Sequence, residues 1–138
     1  MVKRVTERRL VDVLVCHLRK QHATGREIGH YEKRIDVATI RSDTNELWAI
    51  EAKTADWSRA LSQAIVNLAA AERSYIALYS KHAHRVPLGT LDEHGVGLIA
   101  VGTRWGDVEI LREAARSPYT NRLATDRIRL QIAEVKSR

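Results

Sequence analysis

The sequence predicts a single α/β domain in which a mixed β-sheet is flanked by helices. Its 138 residues suit one domain with a core of its own. Segments of helical periodicity and short apolar runs occur in the order helix, strand, strand, strand, helix, strand. Because a strand, helix, strand order implies a parallel crossover, the sheet is expected to be mixed. We place one domain over residues 1–138, with its core at about 5–111 and a basic C-terminal helix at about 120–136.

The first predicted helix runs from about residue 7 to residue 21, and Thr6 is a suitable N-cap for it. Apolar residues recur on one face at helical spacing, namely Val11, Leu14 and Leu18. Glu7 lies at the leading edge of this face, where a carboxylate needs a partner or a cation. The alternative is that Glu7 only makes a favourable interaction with the helix dipole.

Three strands are predicted next. Residues 22–25 indicate a helix stop and a turn, and residues 26–33 indicate a first strand. Residues 35–40 and 47–50 are rich in β-favouring side chains, and a Ser-Asp-Thr-Asn cluster separates them. These two runs therefore predict consecutive strands joined by a tight connection.

Three charged residues fall at corresponding ends of these two strands. Asp36 is near the start of the first strand, and Glu51 and Lys53 end the second. Residues two apart in a strand face the same side, and a hairpin places the start of one strand beside the end of the other. We therefore expect Asp36, Glu51 and Lys53 to share one surface as a candidate divalent-metal site. The alternative is an ordinary cross-strand ion pair at the rim of a sheet.

Asp56 is a suitable N-cap for a second helix, predicted over residues 57–73. This helix has a narrow apolar stripe that is rich in alanine and comprises Leu61, Ala64, Ile65, Leu68 and Ala69. Gln63 and Asn67 are four residues apart, so they are neighbours, and we place them on a different face.

The second half of the chain predicts a strand at 74–80, a short helix at 88–94, and a hairpin of strands at 96–102 and 108–111. A final helix is predicted over residues 122–135, with an apolar stripe formed by Ala124, Ile128, Ile132 and Val135. Three roles are open for this helix: docking on the domain, pairing with a second subunit, or contact with a nucleic-acid backbone.

The net charge differs between the two ends of the chain and its middle. Residues 1–34 carry a net charge of +5, residues 35–111 carry −3, and residues 112–138 carry +4. Basic ends around an acidic middle suit a polyanionic partner such as DNA. The alternative is that these charges belong to solvated helix faces.

Composition also bounds the location of the protein. No apolar run approaches the roughly 18 residues that span a bilayer, and the N-terminus lacks the apolar core of a secretion signal. The single cysteine, Cys16, cannot form an internal disulfide. We therefore expect a cytoplasmic protein without membrane contact.

Taken together, the central residues resemble a known family. Asp36 is followed by fourteen residues and then by Glu51-Ala52-Lys53, after a helix that carries Glu7. This pattern is similar to the core of the PD-(D/E)xK nuclease superfamily, which includes restriction endonucleases, archaeal Holliday-junction resolvases and several repair nucleases. The resemblance covers roughly residues 5–80. It implies a restriction-endonuclease-like fold and a deoxyribonuclease that depends on Mg²⁺ or Mn²⁺.

The resemblance also implies roles for the central residues. Asp36 and Glu51 would bind the metal together with the main-chain carbonyl of Ala52, and Lys53 would orient or activate the attacking water. The residue chemistry agrees, because phosphodiester hydrolysis needs an in-line water and a cation to offset charge on the phosphate. Mg²⁺ typically takes one or two carboxylates with waters and a substrate phosphate.

The resemblance implies roles for two further residues, and two positions differ from the family pattern. Glu7 matches the extra acid of resolvase-like members and would add a metal ligand. Gln63 falls where many members place a polar residue near the cleaved phosphate. The proline of the family name is Ile35 here, and Asn67 replaces the aromatic residue expected in the helicase-linked exonuclease branch.

Two other functions are open at this level: a catalytically inactive DNA-binding or scaffold module of the same fold, and an RNA-directed phosphodiesterase. A homodimer is expected if the substrate is a duplex or a junction, because two strands call for two sites related by a twofold axis.

Overall fold

One six-stranded sheet organises the fold. The structure is a computed structural model that describes residues 4–136, so the ends of the domain predicted over 1–138 lie outside the described residues. The strands are β1 (Ala23–His30), β2 (Lys33–Ile40), β3 (Leu47–Lys53), β4 (Arg73–Tyr79), β5 (Gly97–Val101) and β6 (Val108–Arg112). The helices are α1 (Glu7–Arg19), α2 (Trp57–Asn67), α3 (Ser80–Ala83), α4 (Leu88–His94) and α5 (Arg122–Lys136).

The strands are arranged in chain order across the sheet. β1, β2 and β3 pair antiparallel, β3, β4 and β5 pair parallel, and β6 returns antiparallel to β5. The predicted mixed sheet, the crossover through α2 and the final hairpin are therefore confirmed. None of the helices within the described part of the chain has the length and apolar character that a bilayer span requires.

Helices cover both faces of the sheet because successive strand residues point to opposite sides. Helix α1 buries its apolar face on one side, where Leu14 packs in a cluster with Val37 and Ile50. On the other side, α2 and α4 pack against β4 and β5.

Helix α1 begins where predicted, since the Thr6 hydroxyl accepts a hydrogen bond of 3.1 Å from the Arg9 N–H.

Helix α5 docks on the same chain, over β1 and β2. Ala124, Ile128 and Ile132 are buried in a cluster with Ile28 and Ile35. The Gln131 amide satisfies both backbone groups of Gly29, at 2.8 Å to its N–H and 2.9 Å to its carbonyl. Of the predicted apolar stripe, Val135 lies outside the contact and is exposed.

Three predicted boundaries are wrong. The first strand, predicted over residues 26–33, ends at His30, and residues 31–32 form a turn before β2. Residues 22–25 are not only a turn, because β1 begins at Ala23 and pairs with the end of β2. Helix α2 ends at Asn67 and not at residue 73. The alanine-rich segment 68–71 does not continue the helix, because its carbonyls accept hydrogen bonds from the C-terminal segment. The donors are the Ser117 hydroxyl, the Thr120 hydroxyl, the Asn121 N–H and the Thr125 hydroxyl.

Candidate active site

The centre of the site is the point where β2 and β3 stop sharing backbone hydrogen bonds. Their ladder ends with Val37 opposite Ile50, and the same register places Asp36 opposite Glu51. There the strands are joined through side chains. The Asp36 N–H donates to Glu51 Oε2 at 3.2 Å, and the Ala52 N–H donates to Asp36 Oδ2 at 2.8 Å. Each carboxylate is thus held by the backbone of the opposite strand.

The β1 side of Asp36 is irregular as well. Glu27 has a φ of +52°, and the β1–β2 register skips the Glu27–Asp36 pair. Ile35 packs under α5 whereas Val37 packs under α1, although residues two apart in a regular strand share a face. Asp36 therefore occupies a local break in the pleat of β2, which leaves its carboxylate free to reach across to β3.

Lys53 and Glu7 complete the rim of the site. The Lys53 ammonium lies 3.6 Å from Glu7 Oε1, which brings the first turn of α1 to the end of β3. Glu7 is exposed rather than buried, and the partner of its carboxylate is Lys53. Asp36 and Glu51 therefore lie together, and Lys53 follows Glu51 by two residues at the end of the same strand.

Burial and mutual repulsion change the acidity of the two carboxyls. Glu51 is only 2% exposed. Burial first, and then the charge of Asp36, raise the pKa of Glu51 to about 7, against the opposing effects of the Asp36 N–H and Lys53. Burial also raises the pKa of Asp36, although the Ala52 N–H and Lys53 oppose the shift. Lys53 therefore offsets the paired negative charge incompletely.

Asn67 belongs to the site, and the prediction that it lies off the packed face of α2 is wrong. It is buried on the packed face of α2 together with Ala60, Leu61 and Ala64. Its side-chain amide favours the charged form of Glu51, while its Nδ2 makes no hydrogen bond of standard geometry to the described residues. The sequence contained a usable signal, since Asn67 is three residues from Ala64 and so lies on the same stripe.

Gln63 is half-buried and lies one turn before Asn67 on α2. Its role near the cleaved phosphate, which the resemblance implies, stays a prediction.

A cavity of about 460 Å³ opens next to Asp36. Its walls come from α1, β1, β2 and β3, and comprise Glu7, Arg8, Val11, Arg26, Glu27, Asp36 and Ala52. Arg26 is held by Asp12, with 2.6 Å between Nη1 and Oδ1. The cavity wall therefore carries two guanidinium groups, which can bind phosphate oxygens, and three carboxylates, which favour a cation beside them.

The carboxylates form a pair and not a larger cluster. Within residues 4–136, no three side chains of the His, Cys, Asp and Glu types converge closely enough to hold a metal ion. Glu7, expected as an additional ligand, is held by Lys53 in this arrangement. Two carboxylates are still within the range that Mg²⁺ uses when waters and a substrate supply the remaining oxygens.

Comparisons with known proteins bear on the fold. No model of a known protein family matches the chain, and no curated protein matches it in sequence. Among solved structures, the chain is similar to SPO1766, a protein of unknown function from Silicibacter pomeroyi, with a TM-score of 0.74 and 20% identity. The likeness covers 99% of this chain and 89% of that chain. It shows a fold shared over nearly the whole length.

Proposed function

We propose that this protein is a metal-dependent nuclease that hydrolyses DNA phosphodiester bonds with a restriction-endonuclease-like core of the PD-(D/E)xK type. One observation carries the proposal: Asp36 and Glu51 meet at the end of the β2–β3 ladder, with Lys53 on the same rim. A cross-strand ion pair at a sheet rim would not require two adjacent carboxyls, one of them buried with a pKa near neutrality.

The donor set fits a hard divalent cation. The N–H and C=O of one residue in an extended strand point to the same side, and the Ala52 N–H points to Asp36. The Ala52 carbonyl therefore faces Asp36 as a third oxygen donor beyond the end of the ladder. The incompletely offset charge on Asp36 and Glu51 also favours a cation. When bound there, Mg²⁺ or Mn²⁺ supplies charge stabilisation at the phosphate and acidifies a bound water.

The remaining steps belong to side chains of this chain. Glu51 must release its proton before it can serve as a ligand, because ligation requires the carboxylate. Lys53 is fixed by Glu7 beside the two acids, where its ammonium can orient a water for attack. Arg8 and Arg26 in the cavity wall hold the phosphate oxygens in place. The basic ends of the chain add non-specific attraction to the DNA backbone.

The direct test compares wild-type protein with Asp36→Asn on linear, nicked, single-stranded and branched DNA, in Mn²⁺, Mg²⁺ and EDTA. We expect metal-dependent cleavage by the wild type and a loss of about 1,000-fold or more in Asp36→Asn, as for removal of a group essential to the transition state. Asp126→Asn, a change of an exposed acid on α5, serves as the matched control and should retain activity.

Other outcomes assign the site differently. If all DNA forms remain intact while RNA of the same sequence is cleaved, the enzyme is RNA-directed. If the protein binds DNA in a salt-sensitive manner without cleaving it, and the Asp36→Asn variant binds DNA as tightly as the wild type, the domain is an inactive binding module. A twofold-related dimer is proposed for duplex substrates, and measurement of the mass in solution with and without DNA tests it.

A further inference from the structure

The edge of the sheet that carries the site continues past β3. The parallel strands β3, β4 and β5 end side by side, with Lys53 opposite Leu78 and Tyr79 opposite Val101. The loop from β5 to β6, residues 102–107, therefore begins on the same edge as Asp36 and Glu51. Three strand spacings separate β2 from β5, which is about 14 Å.

This loop presents a supported and exposed indole. Trp105 is 59% exposed, and the Arg9 guanidinium lies over its ring at 4.3 Å from the centroid. Arg9 is fixed in turn by two hydrogen bonds to the Thr103 carbonyl, at 3.1 and 2.7 Å. The loop is closed by a bond of 2.8 Å from the Gly102 N–H to the Asp107 carbonyl. Arg9 thus covers part of the Trp105 ring while much of the indole surface remains open to solvent.

The support comes from the helix that lines the site. Arg9 is two residues from Glu7 and one from Arg8, and both of these line the cavity beside Asp36. On the edge between the site and the loop, the Lys81 ammonium lies 5.9 Å from the Tyr79 ring. Arg9 and Lys81 therefore place two positive charges along this edge of the sheet.

We infer that Trp105 is a stacking platform for an unpaired base of the substrate, on the strand whose scissile phosphate lies at Asp36 and Glu51. The inference rests on the proposed nuclease function for the position of that phosphate. A flat, rigid indole beside guanidinium and ammonium groups is the combination that binds single-stranded nucleic acid: bases stack on the ring and the cations follow the backbone. A fully paired duplex offers no free base face at this distance. The substrate is therefore a nucleic acid with a single-stranded segment.

The test measures binding in EDTA, where cleavage is suppressed, with a fluorescein-labelled single-stranded DNA and with its duplex. Trp105→Ala should weaken single-strand binding about 5- to 150-fold, the range for loss of one stacked base, and change duplex binding less than about twofold. Trp105→Phe should retain most of the affinity. Tyr119→Ala is the matched control, because Tyr119 is another exposed aromatic and lies in the segment that follows β6.

Tryptophan fluorescence gives an independent readout. Trp48 is buried and Trp57 is half-buried, so quenching by unlabelled single strand should come from Trp105 and disappear in Trp105→Phe. The inference is overturned if Trp105→Ala binds single strands like the wild type, if it loses duplex and single-strand binding equally, or if Tyr119→Ala has the same effect.

The same proteins separate this inference from the nuclease proposal. Cleavage of the single strand in Mn²⁺, together with binding that does not depend on Trp105, would refute the platform and keep the nuclease. Binding that depends on Trp105 without cleavage by the wild type would refute the nuclease and keep the stacking surface.

Discussion

Asp36 and Glu51 are joined reciprocally across β2 and β3. The backbone N–H of Asp36 donates to the Glu51 carboxyl, and the N–H next to Glu51, that of Ala52, donates to the Asp36 carboxyl. Because both acids are fixed by backbone groups, their separation does not depend on a flexible cationic partner. Replacing either acid by its amide should therefore remove charge while leaving the strands in place.

The first prediction concerns Glu51→Gln and pH. The pKa of Glu51 is raised from 4.5 to about 7 in the folded protein, so the folded state holds a proton that the unfolded state releases between these values. The stabilising contribution is full below pH 4.5 and is lost as pH rises through 7. Glutamine does not ionise, so Glu51→Gln should raise the free energy of unfolding by up to about 3 kcal/mol at pH 8, and little at pH 4.5. Thermal melting in EDTA across this range measures the difference, and an equal effect at both ends would contradict it.

The second prediction concerns metal binding without turnover. Mn²⁺ at millimolar concentration should raise the melting temperature of the wild type at pH 7.5, because a ligand that binds only the folded state stabilises it. The shift should be lost in Asp36→Asn and largely retained in Glu7→Gln, since Glu7 contacts Lys53 and not the carboxylate pair. Equal loss in both variants would instead make Glu7 a ligand, as the family resemblance implies.

The third prediction separates Asn67 from Gln63. The Asn67 amide favours the ionised form of Glu51, so Asn67→Ala should raise the pKa of Glu51 further. The acidic limb of the cleavage rate against pH should then move to higher pH. Gln63→Ala should leave this limb unchanged. If Gln63→Ala lowers the rate and Asn67→Ala does not, the role belongs to Gln63 as the resemblance implies.

The fourth prediction tests the docking of α5. Ile128 is 1% exposed in the cluster with β1 and β2, so Ile128→Ala should lower the free energy of unfolding by about 2–5 kcal/mol. Leu123, on the same helix, is 62% exposed, and Leu123→Ala should change stability by no more than about 0.5 kcal/mol. Urea unfolding of both variants provides the measurement. Similar values for the two would mean that α5 does not pack as described in solution.

The sequence by itself determined the centre of the protein. Two adjacent strands joined by a short connection have little choice of partner, so the spacing from Asp36 to Glu51 was enough to place these two carboxyls side by side. The start of α1 at Thr6 was equally local, because an N-cap bonds to a backbone group three residues away.

Tertiary structure decided where α2 ends and what its last turn does. Residues 68–71 are good helix formers, but four donors from residues 117–125, about fifty positions away, bind their carbonyls. That choice leaves Asn67 as the last residue of α2, buried next to Glu51. Likewise, the support of Trp105 by Arg9 joins residues that are far apart in the chain. Local pattern specifies which backbone hydrogen bonds a segment prefers, and only packing specifies which distant groups compete for them.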